Sequence, residues 1–295
     1  MSWIGRAAAA FLAIAAPAQA DTIALDRPGG TVRVATFNAS LVRKGAGVLI
    51  ADIAKGDRQV QAVAQILRHV RPDIVLINEI DHDPQGLALA AFVEVLASDG
   101  KGTKGLSYAH VFTGPVNTGV PSGLDLDGDG RTMGPGDALG FGRFPGQYGM
   151  AILSRFPLGP ARTFQNFLWR DVPWAVAPVL TDGAPYYAPE AWSKLPLSSK
   201  SHWDVVATLP GGKAVHLLAS HPTPPVFDGP ENRNGLRNAA EIRFWIDYMD
   251  GKDWMVDDVG TKGALPPGAE FIVLGDLNAD PARGDGDRRS NHPER

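Results

Sequence analysis

The chain contains no cysteine. That absence excludes a disulfide framework, thiolate metal centres and a cysteine nucleophile, so any metal must take oxygen or histidine nitrogen ligands. An excess of positive charge is also missing, because 28 Lys and Arg stand against 32 Asp and Glu for a net charge of −4. No global positive field gathers a polyanion, and this balance does not favour a nucleic-acid partner. Charged residues make up 20% and hydrophobic ones 44% of the 295, far from the compositions that keep chains disordered. Long apolar runs are scarce. The run Ala7 to Ala16, broken by Pro17, is about half the roughly 20 residues a membrane span needs. With Arg6 before it and Ala18-Gln19-Ala20 after it, residues 1–20 read as a cleavable signal peptide, which predicts a secreted or periplasmic chain starting at Asp21.

What is present is a series of apolar, β-branched runs bounded by Gly, Pro or Asp. They predict strands over Thr31 to Phe37, Ile74 to Ile80, Tyr108 to Phe112, Tyr148 to Leu153, Trp203 to Leu209, Ala214 to Ser220 and Phe271 to Leu274. Val60, Val63, Ala64, Leu67 and Val70 recur at helical spacing before Arg71-Pro72, and Leu87 to Leu96 and Leu236 to Met249 are two further helices. Helices early and late, without regular strand–helix alternation, argue for an α/β fold in which two mixed sheets pack face to face with helices outside. No repeat or linker divides residues 21–295, so one domain is expected, and a monomer.

The segment 113–147 is longer than an ordinary connection and holds Asp125-Leu126-Asp127-Gly128-Asp129-Gly130. Carboxylates of Asp125, Asp127 and Asp129 at alternate positions suit a structural Ca²⁺. The other reading is a solvated acidic turn, since the distant bidentate Glu of an EF-hand is lacking.

Four apolar runs deliver polar groups at their ends: Asn38, Glu79, His221, and the pair Asp276 and Asn278. In an extended chain Asp276 and Asn278 share a face while Leu277 turns to the core. Taken singly, Asn38 begins a turn, Glu79 caps a loop, His221 is a satisfied histidine, and Asp276-Leu277-Asn278 is an Asx-turn. At equivalent places on separate strands they instead predict a metal or polar-ligand site, because buried polar groups without partners are costly. Lys200 and His202 precede a strand, where they either contact phosphate or supply ordinary loop polarity with Trp203 in the core. Arg233 opens a helix whose N-terminus favours an anion.

Thr36-Phe37-Asn38, Pro72-Asp73-Ile74-Val75-Leu76-Ile77-Asn78-Glu79, Tyr148-Gly149-Met150-Ala151-Ile152-Leu153-Ser154-Arg155, Ser220-His221-Pro222 and Gly275-Asp276-Leu277-Asn278 resemble, in order and spacing, the motifs of the endonuclease/exonuclease/phosphatase family. The resemblance covers about residues 31 to 281. It implies a DNase I-like four-layer α/β sandwich and Mg²⁺- or Mn²⁺-dependent hydrolysis of a phosphoester, whether nucleic acid, phospholipid or small molecule. It also implies that Glu79 and Asn38 hold the metal, Asp276 positions the attacking water, Asn278 orients phosphate oxygens, and His221 stabilises charge developing on phosphorus. Family members continue past Gly-Asp-x-Asn into a further strand pair and a terminal Ser-Asp-His. Here only Ser290-Asn291-His292 follows, so the domain is expected to be incomplete at its C-terminus. Two readings compete: an exported phosphoester hydrolase, and a catalytically inactive secreted binding module that keeps the fold.

Overall fold

The computed structural model describes residues 28–280, 282 and 283. The expected signal peptide at 1–20 and the Ser290-Asn291-His292 segment lie outside the described residues. Residues 28–31 belong to a first compact unit, and a second unit starting at Val32 carries the regular elements. In chain order these are β1 (Val34–Leu41), α1 (Val48–Ala54), α2 (Arg58–Val70), β2 (Ile74–Ile80), α3 (Leu87–Ala97), β3 (His110–Thr113), β4 (Met150–Ser154) and β5 (Leu158–Thr163), then α4 (Pro189–Lys194), β6 (His202–Thr208), β7 (Ala214–Ser220), α5 (Arg233–Met249) and β8 (Phe271–Gly275).

The strands form two four-stranded mixed sheets, ordered β1-β2-β4-β3 and β5-β6-β7-β8. The pairs β1–β2 and β7–β8 are parallel, and the others are antiparallel. Period-two alternation sorts each strand's side chains into layers. Val75, Ile77, Ala151 and Leu153 face a core shared with α1, α2 and α3. Their neighbours Ile74, Leu76, Met150 and Ile152 meet Trp203, Val205, Leu217 and Ala219 of the second sheet in a middle core. Leu218 turns to the opposite face, where Phe244, Trp245 and Tyr248 of α5 cover it. The result is helices, sheet, sheet, helices, the α/β sandwich expected.

The amphipathic spacing of α2 buries Val60, Val63, Ala64 and Leu67, and Asp57 caps the helix by accepting from the amides of Gln59 and Val60. Three elements escape the sequence patterns. Strand β5 reads Leu-Gly-Pro-Ala-Arg-Thr, with Gly and Pro where apolar residues would signal a strand. Helix α4 has six residues and α1 seven, too short to show a period. Strand β1 also starts later and runs further than its pattern suggests, through Asn38 to Leu41.

Candidate active site

The site begins with a bulge. Strands β1 and β2 pair in register to Asn38 opposite Asn78, lose that register, and regain it at Leu41 opposite Ile80. Ser40 (φ 49) and Glu79 (φ 59) take up left-handed backbone conformations there. A bulge of this kind re-aims side chains and strengthens local twist. Asn38 and Glu79 therefore sit within strands and not beyond them. Glu79 is half-buried, and its carboxylate makes no hydrogen bond or ion pair with the described residues.

Asn78, fully buried, joins the two sheets. Its Oδ1 accepts the backbone N–H of Asp276 at 3.2 Å, and its Nδ2 reaches the carbonyl of Ser220 at 3.5 Å. Asn38 Nδ2 donates to Asp276 Oδ2 at 3.0 Å. Strand β8 can end here only because residue 275 is glycine. Its φ is 148°, and a Cβ would lie 2.0 Å from the Ser220 carbonyl oxygen.

Strand alternation does not carry past Gly275, so Asp276 and Asn278 do not share a strand face. Asn278 is left-handed (φ 50), its N–H donates to Asp276 Oδ1 at 3.1 Å, and its side chain donates to the Pro222 carbonyl at 3.0 Å. This is the Asx-turn reading, and it leaves Asp276 with both oxygens oriented and 37% of its side chain exposed.

One face of α5 holds the surrounding loops. Asn238, Glu241 and Trp245 follow at intervals of three and four. Glu241, fully buried, accepts the N–H of Ser199 (2.8 Å) and of Thr223 (2.6 Å) on its two oxygens. Asn238 Nδ2 donates to the carbonyls of Thr223 and Leu277. Trp245 Nε1 donates to Ser220 Oγ. The stretches carrying Lys200, His221 and Asp276 are thus tied to a single helix. The sequence reading did not single out Asn78, Asn238 or Glu241; polar residues at intervals the apolar pattern assigns to the core were the available signal.

Lys200 is 5% exposed. Burial lowers its ammonium to about 8, against the raising pull of Glu241 and Glu79. His221 is buried too, and loss of hydration, with Lys200 beside it, holds its imidazole well below the ordinary value and so neutral near pH 7. Its Nε2 lies 3.9 Å from Asp276 Oδ2, too far for a hydrogen bond, and its Nδ1 has no partner among the described residues. Asp81, which accepts from the amides of Arg43 and Tyr148 behind Glu79, is pushed up to about 6 by burial.

The structure thus brings Asn38, Asp276 and Asn278 into one hydrogen-bonded group, with His221 beside it. Glu79, Lys200 and His221 line one cavity of about 770 Å³. His202 is elsewhere. It is 1% exposed, hydrogen-bonded to the Glu241 carbonyl and packed on Phe244 and Trp245, so it cannot touch phosphate. Its place on β6 turns it to the α5 core. Arg233 lines the cavity but is ion-paired with Glu231 and lies over the Tyr186 ring. The anion at the N-terminus of α5 is already internal, since Asp228 accepts the Asn234 amide at 2.6 Å. In the acidic loop the carboxylates that converge within 4.8 Å are Asp125, Asp127 and Asp137. Asp129 is not one of them and accepts instead from the Arg131 amide. The loop folds back so that Asp137, remote in sequence, takes the place expected of Asp129.

Among the described residues Glu79 offers a carboxylate without a partner, and Asn38 Oδ1 accepts only the Ser40 amide at 3.1 Å. Hard oxygen donors left free in this way fit a divalent cation such as Mg²⁺ or Mn²⁺.

A family profile agrees with this reading of the motifs. The profile described as Endonuclease/Exonuclease/phosphatase family matches residues 35–295. Among solved structures, the chain is similar to an endonuclease/exonuclease/phosphatase from Beutenbergia cavernae DSM 12333 at 18% identity and TM-score 0.45, covering 86% of this chain and 48% of that one. TDP2 from Caenorhabditis elegans follows at 16% identity and TM-score 0.39, covering 84% and 48%. Sphingomyelinase C from Streptomyces griseocarneus gives 14% identity and TM-score 0.44, covering 85% and 66%. The chain spans about half the length of the first two. No curated protein sequence matches it. With the family profile covering nearly the whole chain, and its motifs lying where the two sheets meet, the chain belongs to the endonuclease/exonuclease/phosphatase family.

Proposed function

We propose that this chain is an exported, divalent-metal-dependent phosphoester hydrolase. The family as a whole comprises phosphoester hydrolases and is generally dependent on divalent metals. The observation that carries the reading is the hydrogen-bonded group of Asn38, Asp276 and Asn278 at the junction of two sheets, with His221 3.9 Å from Asp276 and sharing a cavity with Glu79. Export rests on the signal-like residues 1–20.

Glu79 and Asn38 would hold the metal, which when bound supplies positive charge to the phosphoryl oxygens. Asp276 is the group to orient a water molecule. Both its oxygens are fixed by hydrogen bonds, and its partial exposure admits water. In the reaction the water oxygen forms a bond to phosphorus as the bond from phosphorus to the leaving oxygen breaks. The water proton passes to the Asp276 carboxylate and on to solvent, and solvent returns a proton to the leaving oxygen. Lys200 and the neutral His221 face the phosphoryl oxygens as charge develops on them. Preorganised donors are effective there because they need no reorganisation.

The test is hydrolysis of bis(p-nitrophenyl) phosphate with Mg²⁺ or Mn²⁺, with and without EDTA. Activity that EDTA abolishes, and that Asp276→Asn lowers by about 10²–10⁴-fold as loss of a proton acceptor does, is the expected result. Equal rates with and without EDTA sink the proposal.

A further inference from the structure

The cavity beside the polar group is larger than a phosphoryl group requires. At about 770 Å³ it falls within the roughly 300–1,000 Å³ of small-ligand pockets. It shares Glu79, Lys200 and His221 with the candidate active site, while Asn38, Asp276 and Asn278 are not among its lining residues. It therefore extends to one side of the place where phosphorus would sit.

Its polar groups are unevenly committed. Arg237 donates to the carbonyls of Leu139, Pro196 and Leu197, and Arg233 is paired with Glu231. Lys200 is the lining cation whose charged group has no hydrogen-bond or ion-pair partner among the described residues. The Thr223 hydroxyl and His221 Nδ1 are also buried without partners, on residues that line the cavity. One short stretch thus presents polar groups that nothing among the described residues satisfies. Much of the remaining wall is apolar or aromatic, from Leu126, Tyr187 and Leu195, with Phe227 87% exposed. The wall is preformed, because Asn117 Nδ2 pins its loop to the carbonyls of Gln165 and Ser198.

We infer that this cavity seats the organic group of a compact phosphoester, apolar and at least the size of an aromatic ring, with its phosphoryl group against Glu79, Lys200 and His221. Duplex nucleic acid does not fit this arrangement. A duplex is held by a track of cations that neutralise successive phosphates, and two of the three cations here are already occupied. The inference rests on the hydrolase reading above and names its substrate class.

Calorimetry of the whole chain with Mg²⁺, titrating phenylphosphonate against methylphosphonate, separates the ring from the phosphoryl group. The expected result is that phenylphosphonate binds about tenfold more tightly, as burial of a ring surface implies. Tyr187→Ala and the exposed Phe227→Ala should each erode that preference and leave methylphosphonate affinity unchanged. In parallel, bis(p-nitrophenyl) phosphate should be hydrolysed faster than a 20-base-pair DNA duplex. Equal affinity for the two phosphonates, a preference untouched by both variants, or faster cleavage of the duplex overturns the assignment of the cavity. Ring-selective binding without hydrolysis of any ester overturns the hydrolase reading instead.

Discussion

Glu241 illustrates how a buried helix residue can set the geometry of the groups beside it. Its two oxygens satisfy the amides of Ser199 and Thr223, which flank Lys200 and His221 in sequence. In Glu241→Gln one of those amides faces an NH₂ group, so a buried donor is left unsatisfied at about 1–3 kcal/mol. Displacing the two stretches should lower kcat by about 10²-fold, with melting temperature and kcat measured together. A lower melting temperature with unchanged kcat would make Glu241 merely structural. Lys200 carries a pH signature of its own. Burial lowers its ammonium to about 8 from 10.5, so between those values the unfolded chain binds more protons than the folded one, and stability rises with pH. That contribution is complete above 10.5 and is lost as pH falls through about 8. The difference in unfolding free energy between wild type and Lys200→Met, followed by urea from pH 7 to 10.5, should change with this sign, and a flat difference counts against the buried charge.

Among the elements, β5 and the segment after α5 depend on one cation. Arg162 ion-pairs with Asp257, whose side chain is 3% exposed, and donates to the carbonyls of Thr261 and Gly263. Burial works against the Asp257 carboxylate, yet the Arg162 hydrogen bond prevails and holds it below the ordinary range. Arg162→Met would leave that carboxylate only the amides of Val259 and Thr261. Breaking a buried pair in this way costs about 3–5 kcal/mol, to be read as a lower urea midpoint with activity per folded molecule retained. At the end of β8, Gly275→Ala forces a Cβ into the Ser220 carbonyl from a backbone conformation that L residues rarely adopt. This substitution should reduce stability and activity together, since Asp276 moves with the strand. Normal kcat in a stably folded Gly275→Ala protein would show that the close approach is unnecessary.

The whole second unit is organised around the middle core between the sheets. Leu76, fully buried there, sits two residues before Asn78, which bridges to Ser220 and Asp276. Leu76→Ala should cost about 2–5 kcal/mol through lost transfer energy and a residual cavity. Because the candidate site draws residues from both sheets, the urea midpoints of hydrolysis and far-UV circular dichroism should fall together. Activity that survives after the dichroism is lost would mean that one sheet alone suffices. Among the described residues no helix is long and apolar enough to cross a membrane.

Local pattern alone determined much of this protein. Apolar runs located seven of the strands, and helical spacing located α2, α3 and most of α5, because burial periodicity is written residue by residue. The five motifs also marked Asn38, Glu79, His221, Asp276 and Asn278 as a set. What pattern could not decide was where each polar side chain points once strands pair. The β1–β2 bulge, visible only in register, re-aimed Glu79, and the Asx-turn after Gly275 replaced the strand alternation expected for Asp276 and Asn278. His202 and Lys200 stand two positions apart with the same polar signal. Strand β6 turns His202 into the aromatic core of α5, whereas Lys200, just before the strand, reaches the cavity. Asp137 joins Asp125 and Asp127 because its loop folds back, a contact across sequence separations no local rule encodes. Sequence spacing ranks residues along one chain, whereas ligand geometry depends on distances between chains of contacts that form only when two sheets pack.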